Sequence, residues 1–210
     1  PDSGNSYAKG YSRRSGITWA EGLCKNRYVG RTYQQPIGKG EAAQKIMFSL
    51  SELIRLKLVP IVDRLRGKRG ILTEDSVVKG NVSRCLVELL FEEVGMKEIH
   101  LRVAFPPVAF PCFNGMYHGP RNGLLVAHLG YREDVREANE YAREMLTRNL
   151  GSSYKNKLSV NYLSLQQLLS VLPNGGKYCM SCVDGKGYDN LPKTPLIEAS
   201  MLLTSSASGQ

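Results

Sequence analysis

The chain has 210 residues, 42% of them hydrophobic, which is enough for one substantial α/β core followed by a tail. Its 28 Lys and Arg outnumber its 19 Asp and Glu, and the net charge of +9 favours anionic partners: phosphorylated small molecules, nucleic acid or an acidic membrane surface. The sequence lacks both the long apolar run of a membrane span and the apolar segment of a signal peptide.

The first 39 residues are rich in Gly, Ser, Arg and Tyr with little periodicity, and the stretch CKNRYVGRTYQQPIGKG (24–40) predicts a long loop. The chain starts without Met at the turn-like PDSG, so we expect the first strand of the sheet to be missing from it. Apolar residues at helical spacing predict a helix over EAAQKIMFSLSELIRLKL (41–58), ended by Pro60.

The stretch GKRGILTEDSVVKGNVSRCLVELL (67–90) predicts a strand, an acidic pair, a small-residue loop and a helix in succession. The strand is expected around Ile71, and the helix over 83–94 with Gly95 as its C-cap. A second strand is expected over 99–104 in the segment EIHLRVAFPPVAF, where two prolines stop it. Strand, helix and strand in succession form a βαβ unit, so we expect a parallel pair.

Two further helices are predicted downstream. The charged YREDVREANEYAREMLTRNL (131–150) is typical of a solvated helix, and LSLQQLLSVL (163–172) of a shorter, more apolar one. Residues 186–210 change composition and predict a poorly ordered C-terminal tail. The sequence therefore predicts one mostly parallel α/β domain over 1–185, without an internal repeat.

The acidic pair Glu74 and Asp75 lies at the end of the first predicted strand, where open α/β sheets bind ligands. Two carboxylates there can chelate a metal or accept hydrogen bonds from the vicinal hydroxyls of a ribose. The next residues offer backbone amides, the hydroxyls of Ser76 and Ser83, the flexible Gly80 and a helix N-terminus, which together form an anion site. This combination predicts a sugar-phosphate ligand, although an isolated acidic pair is also typical of a solvated turn.

The same stretch resembles the phosphoribosyl diphosphate signature of the type I phosphoribosyltransferases. Five segments occur in matching order and spacing: PDSG, KNRYVGRTYQQP, RLKLVPI, RGILTEDSVVKG and PPVAFPCFNG. Together they resemble the phosphoribosyltransferase half of the glutamine phosphoribosylpyrophosphate amidotransferases, the amidophosphoribosyltransferases, from Pro1 to Gly185. The resemblance implies the type I phosphoribosyltransferase fold, a mostly parallel open sheet flanked by helices.

The resemblance also implies roles for individual residues. The segment that supplies amides to the leaving diphosphate is Asp2, Ser3 and Gly4. A mobile catalytic loop covers 25–39, and we expect its catalytic side chains to be Tyr28 and Arg31, since a guanidinium can neutralise departing diphosphate. The acids Glu74 and Asp75 would hold the ribose hydroxyls. The remaining substrate-binding residues would be Ser76, Lys79, Gly80, Asn81, Val82 and Ser83.

The phosphate loop departs from the family pattern. Asn81 and Val82 stand where the family has a Thr-Thr pair, so the hydroxyl donor at residue 82 is lost and an apolar side chain is placed at the phosphate site. Lys79 replaces a usual Arg, which keeps the charge but loses the bidentate fork. We expect weaker phosphate binding than in the family.

An odd number of cysteines without a secretory signal predicts reduced thiols or metal ligands in a cytoplasmic protein; they are Cys24, Cys85, Cys112, Cys179 and Cys182. By spacing alone, the C-x-x-C pair at 179 and 182 leaves zinc and an iron-sulfur cluster equally open. The resemblance implies a [4Fe-4S] cluster held by Cys112, Cys179 and Cys182, with a fourth cysteine expected before residue 1. Cys85 on an apolar helix face is expected to be a core residue.

Family members transfer the phosphoribosyl group of phosphoribosyl diphosphate to glutamine-derived ammonia with Mg²⁺, giving 5-phosphoribosylamine at the first committed step of purine biosynthesis. They carry an N-terminal glutaminase domain, which we do not find in these 210 residues. They form homo-oligomers and bind purine nucleotides as inhibitors. The resemblance therefore implies a cytoplasmic glycosyltransferase.

The sequence leaves two other functional interpretations open. The altered phosphate loop and the +9 charge favour a catalytically weakened module that binds nucleotide or phosphoribosyl diphosphate in a regulatory role. A zinc-stapled basic domain on RNA would explain the cysteines and the charge. It leaves the acidic pair unexplained, because phosphates repel carboxylates, so nucleic acid is the weaker expectation.

Overall fold

The computed structural model describes residues 2–29, 50–114, 116, 118–173 and 177–188. Within these ranges the strands are β1 (Leu23–Lys25), β2 (Leu58–Pro60), β3 (Arg69–Glu74), β4 (Glu98–Val103) and β5 (Leu158–Tyr162). The helices are α1 (Ser3–Ser15), α2 (Leu50–Lys57), α3 (Val62–Leu65), α4 (Asn81–Glu88), α5 (Arg136–Leu146), α6 (Ser152–Lys155), α7 (Leu165–Val171) and α8 (Ser181–Asp184). No helix in the described ranges is long and apolar enough to cross a bilayer.

The central sheet has the order β3-β4-β5 and is parallel throughout. The expected parallel pair is therefore confirmed: Ile71 of β3 lies beside His100 of β4, which in turn lies beside Ser159 of β5. Strand β4 confirms the strand predicted over 99–104, and its residues alternate between half-buried and buried. Strand β5 was not predicted, although its sequence LSVNY alternates between apolar and polar residues and its apolar residues are buried.

The main hydrophobic core lies between this sheet and the helices that follow its strands. It includes Val87 of α4, Ile99 and Leu101 of β4, and Val160 of β5. The predicted charged helix over 131–150 is shorter than expected and forms α5, which buries small and apolar residues one turn apart at Ala138, Ala142 and Leu146. A smaller second core consists of Val108, Leu124 and Ala127.

Helix α4 starts two residues before the predicted Ser83. It ends at Glu88, and the chain continues as a π-helical turn over Leu89–Glu93. Helix α7 confirms the prediction over 163–172, and Ser164 caps it with a capping box in which the hydroxyl accepts from the Gln167 N–H at 3.2 Å.

The N-terminal segment, where the sequence predicted no helix, contains one. Residues Ser3–Ser15 form α1, which ends at Gly16 with φ 74°. No residue of α1 is buried, so its sequence carries no apolar stripe from which a helix could have been predicted. The described part of the helix predicted over 41–58 is α2, after which the chain forms β2, which pairs antiparallel with β1.

Candidate functional site

The acidic pair lies at the carboxyl end of β3, as predicted. Strand β3 ends at Glu74, whose carbonyl accepts from the Ala104 N–H at 2.9 Å, and Asp75 begins the loop. Burial raises the pKa of Glu74 to about 7; the charge of Asp75 and a hydrogen bond between the two carboxyl groups add to the rise. At neutral pH the pair therefore shares a proton part of the time, and a cation or hydroxyl donor bound beside it would favour the fully ionised form.

The loop after the acids ends at Gly80, which has φ 76° and is the N-cap of α4. Within the described structure no side chain caps this helix, so the amides of its first turn are available to a bound anion. A Cβ at Gly80 would lie 3.2 Å from Leu125, and its left-handed backbone also disfavours any side chain. Glycine is therefore required here both by conformation and by the close approach of a neighbouring loop.

The polar side chains of the predicted phosphate loop have different surroundings. Ser83 is buried and Ser76 is half-buried, whereas Asn81 is exposed. Val82 is half-buried and packs against the main core. Its backbone amide is in the first turn of α4.

A second segment, residues 118–125, forms a wall along the phosphate loop, and sequence reasoning missed it. The Leu125 N–H donates to the Val78 carbonyl at 2.8 Å. Gly119 has φ 81°, and a Cβ there would lie 3.0 Å from the Lys79 ammonium nitrogen. The two glycines in HGPRNG were the only local signal of a close approach to another segment.

The predicted diphosphate segment is brought to the same strand. Thr73, which precedes Glu74, donates its hydroxyl to the Gly4 carbonyl at 2.9 Å. Asp2 has φ 71°, a strained value for a residue other than glycine, and its carboxylate forms an ion pair with Lys25. Ser3 and Gly4 belong to the first turn of α1, where the sequence predicted a loop.

The predicted mobile loop is only partly described. The Tyr28 side chain is fully exposed, and its backbone N–H donates to the Asn26 side-chain oxygen at 3.0 Å. No contact in the described part of the chain joins Tyr28 to the acidic pair. Arg31 lies outside the described residues, as do the rest of the loop and most of the predicted tail. The link between Lys25 and Asp2 ties the start of this loop to the diphosphate segment.

The segments that carry three of the cysteines are fixed to each other. The N–H groups of Ala109 and Phe110 donate to the Cys182 carbonyl at 3.1 and 3.0 Å. The Tyr188 hydroxyl contacts the carbonyls of Ser181, at 2.8 Å, and of Pro111. The PCF and C-x-x-C segments, 67 residues apart, therefore meet (179 − 112).

The three predicted ligand thiols lie close enough to affect one another. Burial raises the pKa of Cys182 to about 11, and the charges of Cys112 and Cys179 add to the rise. Hydrogen bonds with Ser181, and then with Asn114 at 3.4 Å, lower the pKa of Cys179. Among the described residues, no three His, Cys, Asp or Glu side chains are arranged as a ready metal site.

The two other cysteines lie outside this group. Cys85 is buried in α4, which confirms its prediction as a core residue, and Cys24 is exposed in β1.

Several curated amidophosphoribosyltransferases are similar to this chain. An amidophosphoribosyltransferase of Mycobacterium leprae is 35% identical over 198 residues, 94% of this chain and 32% of that protein. One of Archaeoglobus fulgidus is 36% identical over 196 residues, covering 91% and 37%. One of Synechocystis is 44% identical over 133 residues, covering 63% and 25%. No protein-family model matches the chain.

Solved structures give the same result. The glutamine phosphoribosylpyrophosphate amidotransferase of B. subtilis, complexed with ADP and GMP, matches with a TM-score of 0.59 at 30% identity over 89% of this chain and 36% of that one. The predicted resemblance and the α/β phosphoribosyltransferase fold are thereby confirmed. The chain spans about a third of the length of the curated relatives that it matches.

Proposed function

Because the chain is homologous to about one third of the length of the amidophosphoribosyltransferases, we propose that it catalyses their phosphoribosyl transfer. The reaction is the transfer of the phosphoribosyl group of phosphoribosyl diphosphate to ammonia, which gives 5-phosphoribosylamine for purine biosynthesis. The observation that carries the proposal is the meeting of three segments at the end of β3. The Thr73 hydroxyl binds the Gly4 carbonyl at the start of α1, and the acidic pair follows Thr73 in the chain. The phosphate loop then leads into the N-terminus of α4, which no side chain in the described structure caps.

The sugar would be held from two sides. The carboxylates of Glu74 and Asp75 would accept hydrogen bonds from the ribose hydroxyls, and the first-turn amides of α4 would bind the 5′-phosphate. A sugar fixed at both ends keeps its anomeric carbon in place while the bond to the leaving group breaks. Ionisation of Glu74 on binding would add negative charge near an oxocarbenium-like transition state and stabilise it.

The displacement itself needs no covalent nucleophile from the protein. The ammonia lone pair forms the new bond to the anomeric carbon, and the bond to diphosphate breaks with its electron pair leaving on oxygen. The nitrogen then releases a proton to solvent. The amides of the Asp2–Gly4 segment would receive the diphosphate, and the catalytic loop over 25–39 with Tyr28 and Arg31 would exclude water.

Mg²⁺ would neutralise diphosphate charge when bound. It usually retains several waters and binds through one or two carboxylates together with substrate phosphates. Two adjacent acids fit that mode, since the substrate would supply the other ligands.

We also propose a [4Fe-4S] cluster on Cys112, Cys179 and Cys182, completed by a fourth cysteine. Three thiols held between two fixed segments match the soft sulfur ligands that clusters prefer. Their mutual charge effect would be relieved by a bound cation.

The partners proposed for the chain are those of its relatives. Ammonia would come from a glutaminase domain, and the assembly would be a homo-oligomer in the cytoplasm. Purine nucleotides are proposed as ligands because the B. subtilis relative was solved with ADP and GMP. A regulatory, catalytically weakened module is the second candidate, and the apolar Val82 at a position of the phosphate loop where the family has a hydroxyl favours it.

The test is an anaerobic assay of phosphoribosyl diphosphate consumption that depends on both ammonia and Mg²⁺. Asp75→Asn serves as the control, since it keeps the size of the side chain and removes one carboxylate. Turnover in the parent and none in the variant supports the enzyme. Saturable binding without turnover supports the regulatory module instead.

A further inference from the structure

His118 is a buried polar side chain that the proposed mechanism has not used. It is 7% exposed, and its Nδ1 atom has no hydrogen-bond partner among the described residues. A buried polar atom without a partner costs free energy, so such atoms in native proteins call for an explanation. A bound ligand is one such explanation, and the surroundings of His118 indicate which ligand it would be.

The position of His118 is at the start of the wall beside the phosphate loop. A Cβ at the next residue, Gly119, would lie 3.0 Å from the Lys79 ammonium nitrogen, and a Cβ at Gly123 would lie 3.9 Å from the same side chain. Farther along the wall, Leu125 binds the Val78 carbonyl. The wall and the loop thus run side by side up to the N-terminus of α4.

In its neutral form, the His118 ring is suited to binding a phosphate. Burial lowers the pKa of His118, and the positive charge of Lys79 lowers it further. A neutral imidazole has one N–H donor and one acceptor nitrogen, so it can donate to a phosphate oxygen or accept from a protonated one. Burial of the ring excludes the water that would otherwise compete for the same atom.

The other two histidines of the chain have visible roles. His100 Nδ1 lies 2.8 Å from the Ser159 hydroxyl oxygen, and His128 is an exposed ring that packs at an angle of 60° against Tyr141, with centroids 4.2 Å apart. Neither lies on the wall over 118–125 beside Lys79 in the same way as His118.

We propose that His118 is a substrate-binding residue that contacts the 5′-phosphate from the 118–125 wall, beside Lys79, in place of the hydroxyl that Val82 lacks. The identity of the ligand that carries this phosphate, a phosphoribosyl compound, rests on the proposed function. The existence of an anion site rests only on the geometry of the described residues.

The first experiment follows the imidazole signals of the 210-residue chain by ¹H–¹⁵N NMR during titration with inorganic phosphate and with ribose 5-phosphate. Only three histidines contribute signals, so each can be assigned with one variant. The His118 ring signals should shift saturably with both ligands, and those of His100 and His128 should stay in place. This readout needs no folded variant of His118.

The second experiment compares ribose 5-phosphate affinity in His118→Phe and in the matched control His128→Phe. Loss of one hydrogen bond to a charged group predicts roughly tenfold or more weaker binding in the first variant and no change in the second. Phenylalanine retains most of the ring volume, so circular dichroism and unfolding curves should stay close to those of the parent.

The outcomes separate this inference from the proposed function. Shifts of His118 with phosphate in a chain that does not consume phosphoribosyl diphosphate support the anion site and count against the enzyme. Turnover that is unchanged in His118→Phe, with an unmoved His118 signal, supports the enzyme and overturns the inference. A chain whose His118 signals ignore both phosphate ligands overturns it as well.

Discussion

Two glycines of α1 provide a matched pair for testing how this helix lies on the sheet. A Cβ at Gly4 would lie 2.5 Å from the Thr73 carbonyl oxygen, whereas a Cβ at Gly10 meets nothing within 4 Å. The Thr73 oxygen belongs to the backbone of β3 and cannot rotate away. Gly4→Ala must therefore push α1 off the strand and weaken the hydrogen bond between the Thr73 hydroxyl and the Gly4 carbonyl.

The expected effects have opposite signs. Overpacking lowers the free energy of unfolding of Gly4→Ala by roughly 1–3 kcal/mol. Gly10→Ala should raise it by roughly 0.5–1 kcal/mol, because alanine loses less backbone entropy in a helix interior. Urea denaturation followed by circular dichroism measures both values.

Equal stability of the two variants would refute the placement of α1 against β3. If that placement is right, the displacement of α1 also moves Asp2. Gly4→Ala should therefore bind diphosphate less tightly than Gly10→Ala when both folded variants are measured in the absence of urea.

Three further predictions concern single side chains. The pKa of Glu74 is raised from its ordinary 4.5 to about 7, so the native state binds this proton more tightly and the group's contribution to stability is lost as pH rises through that window. Glu74→Gln should flatten the pH dependence of stability between these values, by no more than about 3 kcal/mol. Tyr188→Phe leaves the Ser181 and Pro111 carbonyls without its hydroxyl and should lower stability by about 1–3 kcal/mol, with less iron retained after reconstitution. Val82→Thr restores a hydroxyl and should tighten ribose 5-phosphate binding by roughly two- to tenfold.

Each of these has its own control and its own contradicting result. A slope of stability against pH that survives in Glu74→Gln would assign it to another group. Tyr178→Phe, at an exposed tyrosine, should retain iron as the parent does; equal loss in both variants would remove the special role of Tyr188. Val171→Thr changes an exposed valine of α7, and phosphate binding that improves equally in it would show a non-specific effect.

The sequence alone was sufficient for the features that depend on neighbouring residues. A short apolar segment stopped by two prolines predicted β4, the strand-acid-loop order predicted β3 and α4, and the parallel pair followed from their succession. These signals are local because side-chain period and turn chemistry act over a few residues. They also carried the resemblance that the comparisons confirmed.

Tertiary structure decided the properties that depend on distant parts of the chain. The pKa of Glu74 depends on burial, and the helix α1 has no apolar stripe and lies on β3 through Gly4 and Thr73. The side chain of Val82 packs against the core. His118 lies near Lys79 of the phosphate loop although 39 residues separate the two in the chain (118 − 79). Desolvation and close packing are set by which segments meet, so neither can be obtained from the local pattern of residues.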